Sequence, residues 1–554
     1  MLQSSSSLER STSPSSAAIR QDAVAPGGSA APATGEMKTL LQGILAILLT
    51  NLCEMGLPLM SFFFVGRLGD AVAVAGLGLG VSVCNITGLC LISGMGTGID
   101  VLCSQAHGAK NIRMVGVVLI RGTLLSALLV FIPVGALWYN MARVLLFFAQ
   151  QPEVAQMTGS FARAYMWGII PYAVFQNLKK CLQTQGVATP IVKVTLLGAV
   201  ANIAFHYITI VVMGMGVRGA GLALSLTWMF LVGTLILYTW FCRLAVEGCW
   251  SGLRSPEVFQ DWPAYLAVCI PGLCSLCVEW ISIEASIFMA GRLGPQQLAT
   301  QVIILNAYVI FFQLALSINM GTSIRVGYLL GDGNPVKARQ AAFCGVGLSL
   351  LAALITAGGL GLGRGEWPKL FGVPQDVVAS VVKLAPVFVA VQMIDIVQNV
   401  CNGVLKGMGL VCLQAVAAVI GFWCVGIPLS TFLGLHSGWG VKGLWAGMAA
   451  AEAPLCLFYL YVIGTADWEN CAQHARERVG GRPDFAPVDM EVNSSRGDLT
   501  VRSHSLHSNS SGGSDASTLA ASWAGAWVAD GGVEVGLIDY ESGGVPMVRS
   551  ISGG

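Results

Sequence analysis

The chain has 554 residues, of which 55% are hydrophobic and only 11% charged, and its formal net charge is +1. Soluble domains carry roughly a quarter charged residues, so an ordinary soluble globule is excluded, and near-neutrality excludes a nucleic acid held by a broad basic surface. The 16 cysteines are scattered, most of them in apolar runs (Cys53, Cys84, Cys90, Cys269, Cys274, Cys277), the pattern of a small hydrophobe and not of a secreted disulfide framework.

Residues 1–36 are rich in Ser, Ala, Pro and Gly; they lack the apolar core of a cleavable signal peptide and read as a disordered tail. From Leu40 to Gly464 apolar stretches alternate with short polar connectors. Each stretch is roughly 20 residues long, enough to cross a bilayer as a helix. Twelve such spans are centred near Thr50, Val83, Ala127, Ile169, Ala201, Phe230, Val278, Tyr308, Leu351, Val391, Val419 and Pro454. The first six make one lobe (37–245), a linker follows (246–262), and the second six make another lobe (263–466). Residues 467–554 are polar again and read as a largely disordered tail, with low complexity at 504–517.

The two lobes are copies. Gly66-Arg67-Leu68-Gly69 recurs as Gly291-Arg292-Leu293-Gly294, and Met95-Gly96-Thr97 as Met320-Gly321-Thr322, both at an offset of 225. The predicted fold class is therefore all-α integral membrane, twelve transmembrane helices in two six-helix lobes related by internal duplication. Six is even, so both lobes enter from the same side and are related by an axis along the membrane normal, with substrates expected at their interface. Connectors after even-numbered spans carry nine Lys or Arg, including Lys179, Lys180 and Lys406, against seven in the odd ones. That excess places both termini in the cytoplasm.

Residues 65–111, VGRLGDAVAVAGLGLGVSVCNITGLCLISGMGTGIDVLCSQAHGAKN, resemble the multidrug and toxic compound extrusion (MATE) family, as do 271–294, 323–339 and 403–409 (GVLKGMG). The resemblance runs over about 37–470 and leans to the eukaryotic branch. It implies twelve helices in two lobes around a V-shaped cavity that opens alternately to each side. It also implies a monomeric transporter, with no enzymatic activity and no cofactor, that exports organic cations or amphipathic compounds in exchange for protons or sodium. The membrane would be the plasma membrane or a vacuolar or vesicle membrane.

Acids inside spans are costly and default to functional hypotheses. Six are present: Glu54, Asp100, Glu279, Glu284, Asp395 and Glu452. Glu279 is the foremost, because burial makes the ionised form of a carboxyl expensive, and such a group can exchange a proton for a cation. In the family the matching Glu is held central to cation and proton binding. Trp280 and Tyr308 offer aromatic faces for a cation. Glu284, five residues on, points about 140° away from Glu279 and is a flanking acid. Asp395 shares a helix face with Gln392 and Asn399, and Asn85 with Thr87 belongs to a family motif. Asn306 stands where animal members carry another acid, so the C-terminal lobe is expected to work with one carboxylate fewer. Glu54 reads equally as an N-lobe proton site or a structural acid. Asp100 is expected to cap a helix or pair with Lys110 or Arg113. Glu452 is expected to pack among small residues, His107 to be a solvated surface residue, and Cys274 and Cys277 to be packing residues.

The competing readings are a sodium-coupled antiporter, a polytopic receptor or channel, and a membrane enzyme. The paired register of the two halves and the single intramembrane acids, without a pore-lining ring, argue against a channel. No Walker A or hydrolytic constellation supports an enzyme.

Overall fold

The computed structural model describes residues 33–241, 255–371 and 374–480. Residues 1–32 and 481–554 of the expected tails, and 242–254, which include the first half of the inter-lobe linker (246–262), lie outside the described residues. Among the described residues there is no β-strand. The N-terminal lobe is α1 (Ala33–Gly66), α2 (Ala71–Gly108), α3 (Ile112–Tyr139), α4, α5 (Thr189–Val212) and α6 (Gly216–Phe241). The C-terminal lobe is α7 (Trp262–Arg292), α8 (Pro295–Gly331), α9 (Pro335–Leu362), α10 (Gln375–Met408), α11 (Val411–His436) and α12 (Val441–Thr465). Eleven of these are long and apolar enough to cross a membrane by themselves.

The twelfth, α4, is built from Pro152–Tyr165 and Ile169–Thr184, joined by a 3₁₀ turn at Met166–Gly168. It falls short in hydropathy because Gln176, Asn177, Lys179 and Lys180 sit in its second half, and all four are buried inside the lobe. The sequence had assigned Lys179 and Lys180 to a connector. Moving them and Lys406, which lies within α10, into helices leaves six Lys or Arg on the even connectors against seven on the odd ones, so the charge count no longer selects a side.

The repeated motifs have a local cause. Gly69 and Gly294, which close the two GRLG copies, have φ of +72° and +106°, a backbone region that stops a helix and favours glycine. Asn111 and Asn334 then N-cap α3 and α9 by accepting bonds from Met114 N and Lys337 N.

The lobes meet along two related seams. The end of α2 packs on the end of α8: a Cβ at Gly108 would run into Tyr328 O, and one at Gly331 into Gln105 O. Gln105 Nε2 also donates to Gly407 O across the lobes at 3.1 Å. In addition α1 crosses onto α8, where Asn51 Nδ2 donates to Ser317 Oγ at 3.2 Å, and α7 crosses onto α2, where Tyr265 Oη and Cys269 Sγ both donate to Met95 O. Among the described residues the most extensive pairings of helices across the lobes are these, α8 with α2 and α1 and α7 with α2.

The polar tail begins later than expected, because Trp468–Arg478 forms a further helix, α13. It grips both lobes where the ends of α2 and α8 meet. Arg476 donates to Gly331 O and Asp332 O, Arg478 reaches Gln105 Oε1, and Val479 O accepts from Asn111 Nδ2.

Candidate functional site

Three helices of the C-terminal lobe each turn one acid inward. Glu279 on α7, Asp395 on α10 and Glu452 on α12 are 7%, 2% and 5% exposed, and they lie within electrostatic range of one another. Tyr308 of α8 stands among them, its hydroxyl donating to Asp395 Oδ1 at 3.3 Å. One oxygen of each acid (Glu279 Oε1, Asp395 Oδ2, Glu452 Oε2) and both amide atoms of Gln392 have no hydrogen-bond partner among the described residues. Buried polar atoms without partners are costly, so the cluster is chemically ready to take up a proton or a cation. A small cavity lies beside it, lined by Tyr308, Glu452, Ser286, Gln301, Leu305 and Trp445.

The aromatic expectations are met differently. The ring of Tyr308 is stacked on Phe312 at 5.7 Å and edged by Trp445 at 5.9 Å, while half-buried Trp280 meets Phe312 edge-on at 5.8 Å. Both side chains are therefore parts of one aromatic wall, and Tyr308 serves the acids through its hydroxyl. Glu284 is half-buried on the flank and is not among the groups acting on Asp395, Glu452 or Tyr308.

Asn306 lies two residues before Tyr308, about 200° around the helix; it is exposed and donates only to its own turn, Val302 O at 2.9 Å. The acid absent at this position would thus have faced away from the cluster. The interior holds three carboxyls, because Glu452, read from the sequence as a packing residue, joins the other two. The signal that could have found it is the general cost of an acid in a span, which applies to Glu452 as fully as to Glu279. Asn399 and Gln398 complete the polar stretch of α10, with Asn319 Nδ2 donating to both Asn399 O and Asn399 Oδ1.

In the N-terminal lobe the acids are already neutralised. Glu54 accepts from Lys179 Nζ at 2.7 Å and Gln176 Nε2 at 2.8 Å. Asp100 pairs with Lys180 at 2.7 Å and not with Lys110 or Arg113; Arg113 instead pairs with Glu257 of the inter-lobe segment. Neither pairing was legible, since the two lysines had been read as connector charges. Lys406 of α10, also read as a connector charge, lies within electrostatic range of Asp100, Lys180 and Glu279 and so links the charges of the two lobes. Asn85 is exposed at a π-helical turn (Asn85–Leu89), while Thr87 accepts from Trp138 Nε1 at 2.9 Å. Gly88 leaves the space that the Trp138 ring fills. His107 is no surface residue: it packs on Tyr328 at 5.5 Å and its Nδ1 is buried. Sequence reasoning also passed over a buried pair in this lobe, Ser61 Oγ and His206 Nε2 at 2.7 Å. Cys277 is in contact with Cys90 of the other lobe.

The MatE family profile matches residues 46–208 and 271–432, one block in each lobe. The chain is 31% identical over 444 residues to Protein DETOXIFICATION 49 of Arabidopsis thaliana, covering 80% of this chain and 88% of that one. It is 30% identical over 447 residues to Multidrug and toxin extrusion protein 1 of Xenopus tropicalis, covering 81% and 77%. Among solved structures, the eukaryotic MATE transporter AtDTX14 superposes with a TM-score of 0.75 at 26% identity, over 81% of this chain and 99% of that one.

Proposed function

The chain belongs to the MatE family, and from that premise we propose that it exports organic cations by exchanging them for protons at the carboxyl cluster of its C-terminal lobe. It is an integral multi-pass membrane protein and an efflux transporter, not an enzyme. The observation that carries the finer reading is the set of buried oxygens on Glu279, Asp395 and Glu452 that have no hydrogen-bond partner among the described residues. Full ionisation of all three in a low-dielectric interior is strongly opposed by mutual repulsion. The cluster therefore holds protons when empty and releases them when a cation supplies the positive charge. Competition for the same negative charge couples the two fluxes.

The N-terminal lobe supports a different role for its acids. Glu54 and Asp100 each carry a lysine partner, which suits acids that brace helices and leave exchange to the other lobe. Among the described residues the most extensive pairings across the lobes are those of α8 with α2 and α1 and of α7 with α2, which suits alternating access: rotation about these seams exposes the acid cluster to either side. With the even connectors in the cytoplasm, as we propose, this conformation faces outward. The plasma membrane and a vacuolar or vesicle membrane both suit such a protein, and each supplies a proton gradient.

Sodium coupling is the second reading, and unpartnered carboxylates and the Gln392 amide are the groups a sodium ion would use. The test is purified protein in liposomes, with a fluorescent organic cation and an imposed proton or sodium gradient. Uphill movement with the proton gradient supports the proposal. Movement with sodium alone selects the second reading, and a conductance without uphill movement sinks both. Glu279→Gln should abolish coupled transport and leave the protein folded; normal turnover in that variant removes Glu279 from the mechanism.

A further inference from the structure

The seam between α2 and α7 is an antiparallel helix pair with a four-residue register. Gly98 lies against Cys269 and Tyr265, and Gly94 against Leu273, whose Cα sits 2.8 Å from where a Gly94 Cβ would be. The next layer, away from where the ends of α2 and α8 meet, is Cys90 against Cys277, with the two sulfurs 3.9 Å apart. Two glycine layers bring the backbones unusually close, so this third layer has its thiols facing each other across the lobes. Both cysteines are free and half-buried.

We propose that Cys90 and Cys277 form an inter-lobe disulfide under a hydroperoxide oxidant, and that this bond locks the transporter by pinning the seam about which the lobes turn. A disulfide needs S–S near 2.05 Å and Cβ atoms about 3.5–4.5 Å apart, so each sulfur swings by about 1 Å from its present place. Either thiol, as thiolate, attacks hydrogen peroxide; the O–O bond breaks, a sulfenic acid forms and hydroxide leaves. The second thiol then attacks the sulfenic sulfur, forming the S–S bond and expelling the oxygen as water. Overall two thiols and one peroxide give one disulfide and two waters, with two electrons passing from sulfur to the peroxide oxygens. A dithiol reverses the bond by exchange. Among the described residues a further close thiol pair, Cys401 with Cys456, joins α10 to α12 within one lobe. Its oxidation spans no moving seam, so it serves as the internal comparison.

The locking consequence rests on the alternating-access reading; the bond itself does not. The full-length protein in liposomes is treated with hydrogen peroxide and then split into three measurements. Peptide mapping should find Cys90 joined to Cys277, in the wild type and in Cys401→Ser. Hydrogen exchange over 98–108 and 322–333 should slow at least fivefold on oxidation, since lobe separation at the seams is what exposes those amides. Uptake of the fluorescent cation should fall at least tenfold and return with dithiothreitol, while Cys90→Ser and Cys277→Ser stay active in peroxide. Absence of the Cys90–Cys277 peptide overturns the proposal, and so does a linked protein whose exchange rates and uptake are unchanged. If the reduced wild type moves no cation at all, the functional reading fails, and mapping with hydrogen exchange still decides the bond and the lock.

Discussion

The Glu54–Lys179 pair gives a test of whether the N-terminal lobe braces or exchanges. The two charges are 2.7 Å apart, with side chains 14% and 4% exposed. Removing one partner of a buried pair strands the other, at a cost of about 3–5 kcal/mol. Glu54→Gln leaves an ammonium in the lobe interior with no countercharge, and about 3 kcal/mol should be lost. Lys179→Met leaves the carboxylate with only the Gln176 amide, and the loss should be of similar size. The double variant buries two uncharged side chains of nearly the original volume. Most of the stability should return, leaving the double variant about 1 kcal/mol below the parent and giving a coupling energy of about 5 kcal/mol in the cycle. Thermal unfolding of the purified protein in detergent, followed by tryptophan fluorescence, ranks the four proteins. A double variant whose losses simply add would refute the reasoning. The same four proteins in liposomes test the function: a stable double variant that still transports makes the pair a brace, whereas a stable but inactive one returns Glu54 to the exchange mechanism.

Three other outcomes follow from the geometry. Glu452→Gln should leave the melting temperature unchanged or raised, because it replaces a buried acid that has an unpartnered oxygen, while cutting proton-driven uptake at least tenfold; unaltered uptake would separate Glu452 from the cluster. Asn306→Asp should keep uptake within about twofold of the parent and leave it dependent on Glu279, since position 306 is exposed and turned away from the acids; an uptake that no longer needs Glu279 would refute this. Gly331→Val should lower stability by about 2 kcal/mol in the same thermal assay, because any Cβ there meets the backbone of Gln105 across the seam; an unchanged melting temperature would contradict the tight seam.

Much was readable before any tertiary information. Span length and hydropathy defined the helices, because a bilayer accepts only segments that satisfy their own backbone. The repeat of GRLG and MGT defined two lobes, since both copies need the same helix stop and the same close approach. Helical periodicity separated Glu279 from Glu284 within one helix, and the cost of buried charge singled out the acids. What periodicity does not give is the direction in which a face looks. Lys179 and Lys180 resemble connector residues in sequence, and only packing shows that Glu54 and Asp100 wait for them inside the lobe. Asn306 and Tyr308 differ by two positions, yet one points outward and the other into the cluster. Glu452 became a member of that cluster, and Cys277 a neighbour of Cys90, through contacts between helices far apart in the chain. The sequence by itself settled which segments form the twelve spans and which residues carry charge. The tertiary structure decided which charges meet, because a pairing between distant helices depends on how both are rotated and packed, and neither helix encodes that alone.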